Sequence, residues 1–234
     1  MGVDFFLGDI RPPEFPIVRF YTWNCPTISY GCHQKPDRRI NMTLCLDNGI
    51  PVVARPTGGR ELLHGHDLCY SVIWPYHEKI SAVEAKGLFA GINDALLLGL
   101  KKIGINAEWN EFRNKPRAMD GPCFAQIDSG EISINSKKLI ASAQRVFEHA
   151  VVQQGSLPLW KPDVELPRYL QHADKDSIIR KLAELSTDIS EQLGNNPGPD
   201  FIVQNLTEGF NHLFQCRAEN GEKIFIDYLR NIVV

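Results

Sequence analysis

The segment GIPVVARPTGGRELLH, residues 49–64, runs from a short apolar stretch into two adjacent glycines and ends on a histidine. The stretch IPVVAR, residues 50–55, with the β-branched Ile50, Val52 and Val53, predicts a strand. Glycine tolerates positive φ and lets another backbone or a ligand come close. Gly58-Gly59 after a strand therefore reads in two ways. One is a plain turn; the other is a loop whose amide N–H groups face something anionic or polarised.

Length and charge limit what such a loop serves. A chain of 234 residues, 43% hydrophobic and 23% charged, buries one sizeable core, so a single domain over residues 1–234 is expected. The sheet and site fall mainly in 1–160 and a helical part in about 162–234. A net charge of −3 supplies no long-range pull toward nucleic acid or an anionic membrane, and neither is expected as a partner. The opening MGVDFFLGDIRPP lacks the basic and apolar regions of a signal peptide, and no window approaches the apolar length of a membrane span. A cytoplasmic location is expected.

Six cysteines (Cys25, Cys32, Cys45, Cys69, Cys123, Cys216) show no C-x-x-C pair, so free thiols are expected. His64, His66 and Asp67 lie close together but have no second ligand cluster at suitable spacing; no metal and no other cofactor are expected. The Asn-x-Thr tripeptides at Asn41 and Asn205 read as chance matches to the glycosylation pattern.

Strands and helices interleave along the chain. PIVRFYTW (16–23) and TISYG (27–31) predict neighbouring strands at a sheet edge or in a hairpin, and a short helix fits Asp37 to Asn48 with Asp37 as its cap. DLCYSVIWP predicts another strand. In the helix that follows, Ser81 and Glu84 have capping-box spacing, Val83, Leu88, Phe89, Ile92, Leu96 and Ile103 recur on one side, and Gly104 closes the end. EISIN then predicts a strand turning at Asn135 to Lys137, with Lys138 opening the return strand. Period-two alternation puts Lys138, Ile140, Ser142 and Gln144 on one face and Leu139, Ala141 and Ala143 on the other. DSIIRKLAELSTDISEQL and the region of FNHLFQC read as helices, and NNPGP as a loop within the domain.

These residues carry a resemblance. RFYTW, ISYG, GIPVVARPTGGRELLH, YSV, the Cys123-Phe124 pair, SAQ and QQGSLPL follow one another in an order similar to that of the biotin/lipoate ligase and octanoyltransferase superfamily, over roughly residues 1–160. Within it the chain most resembles the cysteine/lysine octanoyltransferases, which move an octanoyl group from acyl carrier protein to a lysine of a lipoyl domain, such as glycine cleavage H protein or a 2-oxoacid dehydrogenase E2 subunit. The resemblance implies an α/β fold around a mostly antiparallel central sheet flanked by helices, with the glycine loop lining the acyl site. It places Cys123 as nucleophile, Lys138 as the functional lysine and Glu131 between them. It also puts Gly58, Gly59, Arg55, His64, Ser142 and Ala143 around the substrate. Ala141 stands where a glycine is usual, Gly65 replaces an aspartate, and the Pro-Ser usual after the Cys-Phe pair is absent. MGVDFFL resembles the family's first helix without the strand that precedes it there, so an earlier start is expected.

The residue types fit this chemistry. Thioester-for-thioester exchange makes a thiol the suitable nucleophile, and an ammonium such as Lys138 favours the thiolate and serves the proton of an attacking amine. Arg55 is expected to anchor the loop rather than touch substrate. His64 reads equally as a pocket residue or a structural histidine, and Leu62, Leu63 and Ile73 are candidates for an acyl tunnel or for ordinary core. Four functions stay open: the octanoyltransferase, an amidotransferase passing the acyl group between lipoyl domains, an ATP-dependent lipoate ligase, and a non-catalytic lipoyl-domain binder. Arg60 in place of a third glycine, together with Cys123, argues against the ligase.

Overall fold

A computed structural model describes residues 2–109, 122–125, 130–160, 165–171 and 174–215. In chain order the elements are α1 (Gly2–Phe5, continued by a π-turn), β1 (Ile17–Tyr21), β2 (Thr27–Tyr30), α2 (Met42–Asp47), β3 (Val52–Ala54), β4 (Leu62–His64) and β5 (Asp67–Pro75). Then come α3 (Ala82–Lys102), β6 (Glu108–Trp109), β7 (Ile132–Ile134), β8 (Lys137–Val146), β9 (Ala150–Pro158), α4 (Leu166–Tyr169), α5 (Lys175–Leu185), α6 (Ile189–Leu193) and α7 (Pro199–Leu213).

Six strands form one sheet in the order β1-β5-β9-β8-β7-β6, and each pairing is antiparallel. A smaller sheet, β3-β2-β4, has β2 parallel to β3 and antiparallel to β4. β5 and β9 pair over nine residues, from Asp67 opposite Pro158 to Pro75 opposite Ala150. Alternation along β5 divides the molecule. Leu68, Tyr70 and Val72 pack with Ile92 and Leu96 of α3 and with Ile202, Leu206 and Phe210 of α7. Asp67 and Cys69 face the other way, toward the smaller sheet, where Asp67 meets His64.

Local signals account for most boundaries. Ser81 and Glu84 form both bonds of a capping box on α3, and Gly104 sits at φ +88 beyond its end. The β7–β8 turn places Asn135 at φ 47 and Ser136 at φ 62, the double left-handed conformation of a two-residue hairpin turn.

Five expectations are corrected. β1 and β2 do not form a hairpin: β1 is an edge of the larger sheet and β2 is the centre of the smaller one, because Trp23 to Pro26 carries the chain between sheets. The helix expected from Asp37 is a 3-10 turn at Pro36–Arg38 followed by α2, whose first turn is capped by Asn41 through Leu44 N–H. Val83 is exposed, since α3 turns its buried face through Phe89, Ile92 and Leu96. The long helix expected after Asp174 is broken between α5 and α6, where Ser186 bridges to Lys138, Thr187 N–H donates to the Lys138 carbonyl, and Asp188 caps a new helix.

The fifth correction concerns β8. Its pairing with β7 slips between Ile132 and Ser133, which face Ile140 and Lys138 in turn. This bulge leaves Leu139 as the additional residue and reverses the alternation. Lys138 consequently shares its side with Ala141 and Phe124, while Ile140 lies in the helical core and the Ser142 hydroxyl bonds that of Tyr70. The return strand also begins one residue earlier than expected, at Lys137.

α3 and α7 cross at paired glycines. A Cβ on Gly209 would run into the Ala95 carbonyl and the Gly99 amide nitrogen. Gly209→Ala gains about 1 kcal/mol of helix propensity but overpacks this crossing by about 1–3 kcal/mol. A net loss of stability is expected, read as a lower urea midpoint at unchanged m-value.

Candidate functional site

The loop from Arg55 to Glu61 joins β3 to β4 and borders a cavity of about 430 Å³. It is tied down on three sides. Thr57 Oγ1 donates to Gln154 Oε1 at 2.9 Å, Arg145 Nη1 donates to the Pro56 carbonyl at 2.9 Å, and Cys32 N–H donates to the Thr57 carbonyl at 3.0 Å. Arg55, buried beneath, gives Nη1 to Ser29 Oγ at 2.7 Å and Nη2 to the carbonyls of Gly58 and Arg60 at 3.2 and 2.8 Å. In a trans peptide, the carbonyl of one residue and the N–H of the next point in opposite directions. With two loop carbonyls turned onto Arg55, the N–H groups of Gly59 and Glu61 turn away from it. Among the described residues neither Gly58 nor Gly59 N–H donates to a protein oxygen. Loop amides beside a cavity that no described protein oxygen engages are suitable donors to a polarised carbonyl.

Cys123 lies on the wall of this cavity in the 3-10 turn Cys123–Ala125. Its N–H donates to the Glu61 carbonyl at 3.2 Å, and Glu61 in turn is held by Arg39 and by Gln34 at 2.7 Å. Behind the turn, the fully buried Lys138 pairs with Glu131 at 2.7 Å, donates to the Cys123 carbonyl, and sits 5.6 Å from the centre of the Phe124 ring. Burial pushes the Cys123 thiol up; the Lys138 ammonium pulls it down, Glu131 pushes it up again, and burial prevails. Lys138 thus acts in the expected direction without making the resting group a thiolate.

At another part of the wall, His64 presents Nδ1 to Asp67 Oδ2 at 2.6 Å and Nε2 to Ser29 Oγ at 2.6 Å, with its ring stacked on Trp23. Asp67 Oδ2 also accepts from Ser156 at 2.6 Å and Cys69 at 3.2 Å, and Oδ1 accepts from Gly65 N–H. Burial works against the Asp67 carboxylate, but His64, Ser156 and Gly65 outweigh it and hold its pKa at about 2. Burial and the neighbouring Asp67 push the Cys69 thiol well up. His64, Asp67 and Cys69 offer a possible ligand set. The 2.6 Å between nitrogen and carboxylate oxygen is nonetheless a hydrogen bond, well inside the edge of about 3.3 Å that zinc bond lengths give a tetrahedral site.

The lipoyl protein ligase A/B catalytic domain model matches residues 5–211, nearly the whole of this architecture and all of the cavity wall. The chain belongs to that family. It is 36% identical over 151 residues to Octanoyltransferase LipM of Carboxydothermus hydrogenoformans, an alignment covering 64% of this chain and 55% of that protein. It is 27% identical to the protein of the same name from Kyrpidia tusciae, over 88% of this chain and 78% of that one. Among solved structures, lipoate-protein ligase A bound with ATP is similar with a TM-score of 0.70, at 19% identity over 88% of this chain and 75% of the other. A bi-partite lipoate protein ligase from Thermoplasma acidophilum is similar with a TM-score of 0.69, at 20% identity over 88% and 74%. These structures share the fold.

Within this lipoyl ligase family fold, Arg55, Gly58, Gly59, His64, Cys123, Ser142, Ala143 and Glu131 all border the one cavity. Lys138 lies behind its wall, and the Ser142 hydroxyl is engaged with Tyr70 at 2.7 Å. Of the three tunnel candidates only Leu62 reaches the cavity; Leu63 packs on the cluster around Ile28, and Ile73 is core with Leu7 and Phe147. Cys216 falls outside the described residues. Sequence reasoning missed Ser29, Glu61, Cys69, Gln154 and Ser156. Each is a polar residue in or beside an apolar run, which signals a buried hydrogen bond but does not name its partner.

Two predictions follow from this geometry. Because burial raises the Cys123 thiol, its alkylation by iodoacetamide should rise with pH through a midpoint above that of a free thiol, near 8.5. Lys138→Ala should move this midpoint further up. Lys137→Ala should leave it in place, since Lys137 pairs with Glu191 near the surface. The two glycines should also differ. Gly59 is at φ +98 with Arg55 Nη2 3.1 Å from a would-be Cβ, whereas a Cβ on Gly58 meets only His33 at 3.9 Å. Gly59→Ala should cost about 1–2 kcal/mol and Gly58→Ala less than about 0.5 kcal/mol in urea unfolding.

Proposed function

We propose that this chain is an octanoyltransferase of protein lipoylation, acting without a metal or organic cofactor. It takes the octanoyl group of octanoyl-acyl carrier protein onto Cys123 and delivers it to a lysine of a lipoyl domain. The observation that carries the reading is a thiol on the wall of the same cavity as two glycine amides that no oxygen of the described residues occupies, with a buried ammonium behind it. The names of the relatives, Octanoyltransferase LipM, support the acyl group and reaction class. The cavity volume of about 430 Å³ falls within the usual range for small-molecule sites.

In the first step the Cys123 sulfur attacks the carbonyl carbon of the donor thioester. The glycine-loop amides hold the oxygen as it becomes negative. Collapse of the adduct breaks the donor C–S bond, and the proton lost by Cys123 ends on the departing thiol, so the exchange is proton-neutral overall. In the second step an unprotonated lysine amine of the lipoyl domain attacks the Cys123 thioester, an amide forms, and the thiol is restored. Lys138, bonded to the Cys123 carbonyl and to Glu131, fixes the turn that carries the nucleophile and keeps a positive charge close to it.

Octanoyl-acyl carrier protein alone, without ATP or Mg²⁺, should add one octanoyl group to the wild-type protein at Cys123, seen by intact mass. A lipoyl domain should then remove it. Cys123→Ala should lose both adduct and transfer. Activity appearing only with free octanoate and ATP would replace this reading with the ligase, and binding of lipoyl domain with no transfer from any thioester would replace it with the non-catalytic binder.

A further inference from the structure

Among the described residues, the hydrogen-bond partners of the buried Arg55 cation are all neutral oxygens: Ser29 Oγ and the carbonyls of Gly58 and Arg60. The carbonyl bonds fix the Gly58 and Arg60 peptide planes relative to the guanidinium, so these planes depend on its placement, whereas Pro56 and Thr57 are held by Arg145, Gln154 and Cys32. The one side-chain partner of the guanidinium is Ser29, which is itself fully buried on the central strand of the smaller sheet. Ser29 Oγ holds His64 Nε2, His64 Nδ1 holds Asp67, and Asp67 is clamped by Ser156 of β9 and by Gly65 N–H. The line of bonds starts on β5 and β9 of the larger sheet and ends under the glycine loop. Asp67, His64, Ser29 and Arg55 are each less than a tenth exposed, so water does not substitute for a missing partner.

We propose that Ser29 and Asp67 are positioning residues for acyl transfer: the hydrogen-bonded series Asp67, His64, Ser29 and Arg55 sets the peptide planes of the glycine loop that receive the acyl carbonyl. This rests on the reading of the glycine loop as the carbonyl-holding element. Ser29 is the coupling point. With one lone pair occupied by the Arg55 N–H, its hydroxyl remains able to engage His64 Nε2. Alanine there leaves a buried guanidinium N–H and an imidazole nitrogen without partners. Misplacing a reacting group by about 1 Å costs on the order of 100-fold in rate.

The test compares wild type, Ser29→Ala, Asp67→Asn and the double variant by two readouts. The first is the rate of Cys123 acylation by octanoyl-acyl carrier protein against the rate of Cys123 alkylation by iodoacetamide, which has no carbonyl to hold. Acylation should fall about 10–100-fold in each single variant, while alkylation stays within about twofold. The double variant should be little slower than the slower single one, because both changes cut the same series. The second readout is independent of activity: the ¹⁵N–¹H resonances of Gly58 and Gly59 should shift in both single variants while those of α7 remain. Acylation and alkylation falling together would overturn the proposal, as would unmoved glycine resonances. A wild type that forms no adduct defeats the octanoyltransferase reading alone, and the resonances then decide the series by themselves. If Ser29→Ala does not fold, Asp67→Asn, which preserves volume at the far end, decides by the same measurements.

Discussion

The nine-residue antiparallel pairing of β5 with β9 is the constraint on which the remaining structure depends. Successive side chains of a strand point to opposite faces, so once β5 is held at this depth its residues are sorted in one step. Leu68, Tyr70 and Val72 commit one face to α3 and α7, which leaves Asp67 and Cys69 on the face where the smaller sheet and the glycine loop are built. Gly155 of β9 makes the sorting possible locally. A Cβ there would collide with the Tyr70 ring, whose hydroxyl reaches Ser142 on β8 and Gln153 on β9.

The buried cations Lys138 and Arg55 organise the site in different ways. Lys138 has a carboxylate partner, Glu131, in addition to the Cys123 carbonyl, so its cost of burial is offset by an ion pair and it braces the turn that carries the thiol. Arg55 has neutral oxygens instead, and its burial pulls its pKa down. A cation satisfied by loop carbonyls orders the backbone rather than another side chain. The glycines are then used for different purposes: Gly59 supplies the positive φ, while Gly58, at ordinary φ, contributes an N–H that no described protein oxygen accepts.

Much of the architecture was legible in local pattern. The span of β5, the capping box of α3, the Asn135–Ser136 turn and the strand before the glycine loop are each written in residues whose preferences are satisfied within a few positions. The misreadings occur where a distant partner overrode a local preference. Asp37 is a sound cap by type, but Asn41 has the cap, because Ile40 bridges to Leu170 and Asn41 N–H donates to the Tyr169 carbonyl just before α2 begins. The helix after Asp174 breaks because Ser186 and Thr187 bond the backbone of Lys138.

The order of elements, the position of the glycine loop after a strand, and the residue types available for acyl chemistry are readable along the chain, because they depend on backbone preference and side-chain reactivity over short range. Which of those residues meet is settled by the packing of strands and helices. The bulge at Leu139 reverses the β8 alternation and turns Lys138 toward Cys123, and a one-residue slip of this kind leaves no mark in the composition. Ser29, His64 and Asp67 come from three strands in two sheets, and their hydrogen bonds exist because those strands are packed together. Burial, which prevails in the upward shift of Cys123 and is outweighed by hydrogen-bonded neighbours in the downward shift of Asp67, is likewise a property of the assembled fold and not of any segment of the chain.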